Sequence, residues 1–249
     1  MMNLFASLGL VTALFGLGAG VQKETVEENT IKVVDVSSSM TMVEKRVRQA
    51  SVRVLSGNGH GSGSLIEYYD LQLVVTAQHV ASGAVGSQYM LQSGGESIWG
   101  VLVHSDPVHD IAVLYAITPF QVAKPMKWKP VDDIAEVGTE ITYSGFPSWH
   151  SLMTYRGRVA GYEELDGRGT QIMLNTYGWF GCSGSVIYNS KGHIVGILWG
   201  VDVERKPDLQ VQENMVWIVP VYNLDMKTAI QPLCSSLLSN SKACAVNER

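Results

Sequence analysis

The amino-acid sequence predicts an all-β protein, with two six-stranded antiparallel β-barrels between an N-terminal hydrophobic segment and a C-terminal helix. Short runs of β-branched and aromatic residues, separated by glycine-containing turns, recur along most of the chain. They form two sets of six, one on each side of a connection at residues 119–130 that is rich in proline and lysine. Equal numbers of strands around one linker indicate two similar barrels.

The first twenty residues carry no charged side chain and several leucines, which is typical of an export signal or a membrane anchor. Gly18, Ala19 and Gly20 offer the small residues of a cleavage site. About 20 apolar residues can also span a bilayer, so an uncleaved anchor stays open. Residues 21–42 are polar and acidic and are interpreted as a linker. We expect the folded part to be secreted, periplasmic or anchored to a membrane through residues 1–20, outside the cytosol.

The folded domain is expected over residues 43–249, where a charged stretch at 43–49 is either a short helix or the approach to the first strand. The first barrel, about 43–118, has predicted strands at 51–55, 63–68, 71–76, 88–92, 98–103 and 111–117. The second barrel, about 131–221, has predicted strands at 140–144, 153–162, 171–175, 185–188, 193–199 and 215–219. Residues 222–238 place apolar side chains on one helical face, and this helix is expected to pack on the second barrel.

Composition excludes several classes of protein. Hydrophobic residues make up 46% of the chain, enough for a sizeable core, and the formal net charge of −5 does not suit nucleic-acid binding. No His-x-x-x-His or Cys-x-x-Cys spacing indicates zinc, and we expect no metal or organic cofactor.

Of the three cysteines, Cys234 and Cys244 could close a small loop in an oxidising compartment, whereas Cys182 is interpreted as a buried small hydrophobe.

Three short motifs supply the groups that a serine nucleophile needs. Thr-Ala-Gln-His ends an apolar strand at His79, Asp-Ile-Ala-Val-Leu opens another at Asp110, and Gly-Cys-Ser-Gly-Ser contains Ser183. A hydroxyl becomes a strong nucleophile when a base takes its proton and a third group fixes the tautomer of that base. Ser183, His79 and Asp110 suit these roles, although Asp106 competes with Asp110 within the same motif. Backbone N–H groups of Gly181 and Ser183 would form the oxyanion hole.

With these motifs, the sequence resembles the chymotrypsin-fold serine peptidases, and among them the HtrA-like (DegP/DegS-type) branch. The matching pieces are Gly61-Ser62-Gly63-Ser64-Leu65-Ile66, the His79 and Asp110 motifs, Gly145-Phe146-Pro147 and the Ser183 motif. The resemblance covers roughly residues 43–225. It implies a serine endopeptidase whose catalytic triad is His79, Asp110 and Ser183, acting on a protein or peptide substrate.

The sequence also departs from that branch. Ser185 stands where the family usually has a second glycine, and the residues after Tyr222 are too few for the PDZ domain of HtrA proteins. Cys182 takes the place of the aspartate that receives a new N-terminus in trypsin-type zymogens, so activation of that kind is not expected.

The resemblance also implies where substrate binds. The P1 pocket would lie between Tyr177, Leu198-Trp199-Gly200 and Met215, although Trp199 and Met215 could equally be core residues. Since no carboxylate stands at Tyr177, Arg and Lys at P1 are disfavoured and a small or apolar P1 is expected. Two other functions stay open: a virus-type polyprotein-processing protease of the same fold, and a protease-fold binding protein without catalysis.

Overall fold

The computed structural model describes residues 39–204, 208–236 and 238–247. The predicted hydrophobic segment 1–20 lies outside these residues, as does the linker up to residue 38. No helix in the described ranges is long and apolar enough to cross a membrane.

The first barrel begins directly after a helix. Its strands are β1 (Ser51–Ser56), β2 (Gly59–Tyr68), β3 (Leu71–Ala77), β4 (Gln88–Ser93), β5 (Glu96–Asp106) and β6 (Ile111–Ala116). They are ordered β1-β4-β5-β6-β3-β2, and the pairing of β1 with β2 closes the barrel. A short strand that the sequence did not predict, β7 (Met126–Lys127), pairs in parallel with β2.

The second barrel repeats this arrangement. Its strands are β8 (Glu140–Gly145), β9 (Met153–Leu165), β10 (Gly169–Asn175), β11 (Val186–Asn189), β12 (Ile194–Glu204) and β13 (Gln210–Pro220). They close in the order β10-β13-β12-β11-β8-β9, with every pairing antiparallel. Two six-stranded antiparallel barrels confirm the predicted fold class.

Residues 43–49, for which the sequence left two alternatives, belong to helix α1 (Met42–Ala50). Its N-terminus carries a capping box. The Thr41 hydroxyl accepts a hydrogen bond from the Glu44 N–H at 3.2 Å, and the Thr41 N–H donates to the Glu44 carboxylate at 2.6 Å. The helix buries Glu44, Val47 and Ala50 on one face.

The two barrels meet along buried side chains of both. Tyr188 of β11 lies in the same hydrophobic cluster as Leu65 of β2 and Val75 of β3. Its hydroxyl is 2.7 Å from that of Ser64 in β2, so a hydrogen bond also joins the barrels. This interface places the start of β2 and the end of β3 beside the segment that precedes β11.

The C-terminal segment differs from its prediction in two ways. In place of one helix over 222–238, the structure has a 3-10 helix (Val221–Asn223) followed by α2 (Met226–Ala229), α3 (Gln231–Ser236) and α4 (Lys242–Asn247). Pro232 explains part of this division, because proline is tolerated in a first helical turn and not inside a helix.

The second difference is the surface on which this segment packs. Met226, Ile230 and Leu233 are buried in the cluster that includes the first-barrel core. Asp70, in the β2–β3 turn, accepts hydrogen bonds from the Ser241 hydroxyl and from backbone N–H groups at the start of α4. The segment therefore contacts the first barrel as well as the second, which was the only surface expected from the sequence.

Cys234 and Cys244 form a disulfide that joins α3 to α4, with their Cα atoms 5.3 Å apart. The pairing that the sequence left open is therefore present. Cys182 is free and buried, as expected.

Candidate active site

His79 and Asp110 form a doubly hydrogen-bonded pair. The His79 Nδ1 atom is 2.7 Å from Asp110 Oδ2, and the backbone N–H of His79 donates to Asp110 Oδ1 at 2.8 Å. The carboxylate is buried, whereas the imidazole side chain is 47% exposed. Because the carboxylate can only accept, Nδ1 carries the proton and Nε2 is left with a free lone pair. The arrangement gives His79 the tautomer that a general base requires.

Local backbone geometry places Asp110. It has φ of 59°, a left-handed conformation in which aspartate is enriched because its short side chain can bond locally. The turn is held by a hydrogen bond from the Gln78 N–H to the Asp110 carbonyl at 3.1 Å. Asp110 thus lies directly beside the segment that follows β3 and carries His79.

Asp106, the competing carboxylate, has its own histidine. The His109 Nδ1 atom is 2.7 Å from Asp106 Oδ2, and the N–H groups of Val108 and His109 donate to Oδ1. Burial opposes ionisation of Asp106, but the hydrogen bonds from His109 and from the backbone outweigh it and lower the pKa of this carboxyl. The structure therefore separates two Asp–His pairs and associates His79 with Asp110.

The turn around Ser183 leaves two backbone donors unused. Gly181 and Gly184 have φ of 93° and 87°, a region that favours glycine. Within the turn, the Cys182 N–H donates to the Trp179 carbonyl and the Ser185 N–H to the Cys182 carbonyl. Across the described residues, neither the Gly181 N–H nor the Ser183 N–H has a hydrogen-bond partner. These are the two groups that the sequence analysis assigned to an oxyanion hole.

Close packing brings this turn to the end of β3. A Cβ atom at Gly184 would lie 2.1 Å from the Ser62 carbonyl oxygen and 2.8 Å from the Ala77 nitrogen. His79 follows Ala77 by two residues, so Ser183 and His79 come from adjacent segments in the cleft. In the described part of the chain, no hydrogen bond joins the His79 ring to the Ser183 hydroxyl.

The neighbours of Ser183 are accommodated by the second barrel. Cys182 belongs to its hydrophobic core, and burial raises the pKa of the thiol. Ser185 is fully buried, and its hydroxyl is 3.4 Å from the Ser144 carbonyl. A Cβ at Gly145 would lie 2.5 Å from this hydroxyl. Gly145 therefore provides the space that Ser185 needs.

The predicted substrate residues differ in position. Leu198 is 1% exposed with its side chain in the second-barrel core, so only its backbone is available to form the predicted pocket wall and substrate-pairing edge. Its backbone does contact the serine turn, because its carbonyl accepts from the Gly184 N–H at 2.7 Å. Gly200 is open, since a Cβ added there would meet nothing within 4 Å. Tyr177 and Met215 are partly exposed.

Trp199, which the sequence left open as either a pocket residue or a core residue, has features of both. It is half-buried, donates its Nε1–H to the Gln171 side chain at 2.9 Å and stacks on Trp217. The guanidinium of Arg168 lies 4.8 Å above the Trp199 ring centroid. The side chain is therefore fixed by packing, beside the open backbone of Gly200.

A group of residues that surround Gly181 was not predicted from the sequence. A Cβ at Gly181 would lie 2.4 Å from the Phe146 carbonyl oxygen, 2.9 Å from His60 Nε2 and 3.0 Å from the Ser148 nitrogen. Burial lowers the pKa of His60 and favours a neutral ring, which donates its Nε2–H to the Phe146 carbonyl at 2.9 Å. In the sequence, the one feature that could have pointed to these residues is Gly61-Ser62-Gly63-Ser64. This run contributes to the family resemblance, but the resemblance implies no role for Ser62.

A cavity of about 880 Å³ lies apart from His79, Asp110 and Ser183, between α1 and the edge of the second barrel. Tyr177 is its single lining residue from the predicted site. Its wall includes Glu44 and Arg156, which form an ion pair. The hydrogen bond from Arg156 is the main cause that lowers the pKa of Glu44 to about 2. Among the described residues, no cluster of three or more His, Cys, Asp or Glu side chains could hold a metal ion.

Two closed barrels, with a His–Asp pair and a serine turn in the cleft between them, define a chymotrypsin-type peptidase fold. The sequence model for the trypsin-like peptidase domain matches residues 61–197, which is more than half of the chain. The chain belongs to this family and is a serine peptidase by class, which confirms the resemblance found in the sequence.

Solved structures show the same fold. The chain is similar to the Rv3671c protease of M. tuberculosis in its inactive form, with a TM-score of 0.59, 16% identity, and coverage of 77% of this chain and 92% of that one. It is also similar to the serine endoprotease of Yersinia pestis, with a TM-score of 0.58, 19% identity, and coverage of 76% of this chain and 65% of that one.

Proposed function

We propose that this protein is a serine endopeptidase that hydrolyses peptide bonds through a His79–Asp110–Ser183 triad and an acyl-enzyme intermediate. The observation that carries the proposal is the pairing of His79 Nδ1 with Asp110 at 2.7 Å in the same cleft as the serine turn. The two unpaired N–H groups of that turn support the same chemistry, because an oxyanion needs donors that no protein acceptor occupies.

The proposed reaction has two halves. The Ser183 hydroxyl attacks the carbonyl carbon of the substrate while His79 Nε2 takes its proton, and the tetrahedral oxyanion accepts hydrogen bonds from Gly181 and Ser183. Collapse breaks the C–N bond, and His79 gives its proton to the leaving amine. Water then attacks the acyl ester with His79 as the base, which releases the carboxylic acid and restores Ser183.

The substrate is a protein or peptide with a small or apolar P1 residue. A Cβ at Gly178 would lie 2.6 Å from a methyl of Val216 and 2.9 Å from one of Val201. The segment before the nucleophile thus lies tightly against β12 and β13, which supports a shallow P1 pocket. The backbone at Trp199 and Gly200 would pair with the extended substrate.

The proposed location is outside the cytosol: secreted, periplasmic or attached to a membrane through residues 1–20. The disulfide between Cys234 and Cys244 supports it, because such bridges persist mainly in oxidising compartments.

The test is reaction of the purified chain with a fluorophosphonate probe, together with cleavage of an unfolded protein. Wild type should be labelled and should produce internal cuts, and Ser183→Ala should do neither. Ser190→Ala, which removes an exposed hydroxyl at a distant turn, is the matched control and should behave as wild type. Folded wild type that is neither labelled nor active would instead indicate a catalytically silent binding protein.

A further inference from the structure

We propose that Ser62 is a positioning residue, whose buried hydroxyl holds the oxyanion turn in its active conformation. This inference rests on the proposed function. Ser62 lies in β2 of the first barrel, whereas the turn belongs to the second, so the first barrel would set the geometry of an oxyanion site that it does not itself contain.

Ser62 bonds to the turn with both its side chain and its backbone. Its hydroxyl donates to the Gly181 carbonyl at 2.7 Å, and its N–H donates to the Ser183 carbonyl at 2.8 Å. Gly181 and Ser183 are the two residues whose N–H groups face the reacting carbonyl in the proposed mechanism. Ser62 itself is fully buried, and its own carbonyl accepts from the Thr76 hydroxyl at 2.7 Å.

The same hydroxyl also anchors the loop that follows β8. It accepts a hydrogen bond from the Phe146 N–H at 2.9 Å. Two residues further on, the Ser148 N–H donates to the Phe180 carbonyl at 2.6 Å. Ser62 therefore contacts the turn directly, and also supports the loop that contacts the turn one residue earlier.

The Ser148 contact orients the Gly181 N–H, and a hydrogen bond within the turn orients the Ser183 N–H. In a trans peptide, the carbonyl and the N–H of one peptide plane point in opposite directions. The Phe180 carbonyl points to Ser148, so the Gly181 N–H points away from that loop. In the same way, the Cys182 carbonyl is held by the Ser185 N–H, which directs the Ser183 N–H to the other side.

The loop needs such an anchor because one of its residues is strained. Ser148 has φ of 48°, a left-handed conformation that is unfavourable for a residue with a Cβ atom. Bonds from Ser62 and His60 hold the N–H and the carbonyl of Phe146. Without the Ser62 hydroxyl, the Phe146 N–H and the Gly181 carbonyl would both lose a partner. The loop whose Ser148 N–H holds the peptide between Phe180 and Gly181 would then be less firmly anchored.

The experiment compares Ser62→Ala with Ser64→Ala. Ser64 lies two residues along the same strand, and its buried hydroxyl bonds to Tyr188 without contacting the turn. For each variant, kcat and KM on a peptide substrate, the rate of fluorophosphonate labelling and the urea unfolding midpoint are measured. A purely structural role would move the two variants together.

We expect kcat of Ser62→Ala to fall by about 10–100-fold, since loss of one complete oxyanion donor costs about 100–1,000-fold and here a donor is misplaced rather than removed. KM should change by less than about threefold, and labelling should slow in parallel with kcat. Ser64→Ala should lose a similar amount of stability and keep kcat within about threefold of wild type.

Equal kcat in the two alanine variants, or a loss in KM alone, would overturn the inference. If Ser62→Ala does not fold, Ser62→Cys keeps the buried volume with a weaker donor and should give an intermediate kcat; wild-type kcat in that variant would also contradict it. Failure of the proposed function looks different, because wild type would then not be labelled at all.

Discussion

Replacing Asp110 by asparagine should disable His79 by forcing the wrong tautomer. In wild type, the two carboxylate oxygens of Asp110 accept from the His79 backbone N–H and from Nδ1–H, at 2.8 Å and 2.7 Å. An asparagine amide has a single oxygen. The backbone N–H cannot change its role, so that oxygen must face it and the NH2 group must face Nδ1.

The consequence is a proton on the wrong nitrogen. With an N–H donor opposite it, Nδ1 must accept, and the neutral ring then carries its proton on Nε2. Such a ring cannot take the proton of Ser183. Loss of the correct tautomer in a triad with intact geometry costs about 10⁴-fold in kcat, and we expect a loss of that order with little change in KM.

The assay is steady-state hydrolysis of a chromogenic peptide at pH 7, with circular dichroism to verify folding. Asp106→Asn is the matched control, because Asp106 binds His109 in nearly the same way and has no place in the proposed site. It should retain kcat within about threefold of wild type. A loss of less than tenfold in Asp110→Asn, or an equal loss in Asp106→Asn, would show that Asp110 does not set the tautomer of His79.

Three further predictions concern stability and the serine turn. Glu44→Gln should lower the free energy of unfolding at pH 7. Ionised Glu44 stabilises the fold above its ordinary pKa of 4.5, and this contribution is lost as pH falls to the pKa of about 2 in the folded protein. The difference in unfolding free energy from wild type should therefore shrink towards pH 2. Urea titrations at both pH values test this, and a difference independent of pH would contradict it. Replacing Cys234 and Cys244 by serine should cost about 2–3 kcal/mol in the same titration, from the entropy of a ten-residue loop, whereas an unchanged midpoint would show that the bridge adds nothing. Gly181→Ala should reduce kcat at least tenfold, because its Cβ would lie 2.4 Å from a carbonyl oxygen of the facing loop; wild-type kcat would show that the turn can move without loss.

The strands were predictable because each has a local signal. Alternating or continuous apolar runs between glycine turns located all twelve barrel strands to within five residues at either end. The motifs around His79, Asp110 and Ser183 were equally local. In contrast, β7 has only two residues and depends on pairing with β2, which is distant along the chain. No local sequence pattern therefore predicts it.

The contacts that shape the site could not be read from the sequence in the same way. The Ser62 hydroxyl and the Gly181 carbonyl are 119 residues apart along the chain, and their bond exists only because the two barrels pack together. Leu198 shows that the direction of a side chain is equally hard to predict. Its backbone is at the predicted place beside the serine turn, but the side chain points into the barrel core. Side-chain direction depends on the register of β12, which is irregular between Leu198 and Gly200.

If Ser183 is the nucleophile, its acyl intermediate can be trapped on the enzyme. Wild type would be mixed with an activated ester, quenched in acid within milliseconds to seconds, digested and mapped by mass spectrometry. We expect one acyl group per protein on the peptide that contains Ser183, and none on that peptide in Ser183→Ala. Acylation of another residue, or turnover of substrate without any covalent intermediate, would contradict this role of Ser183.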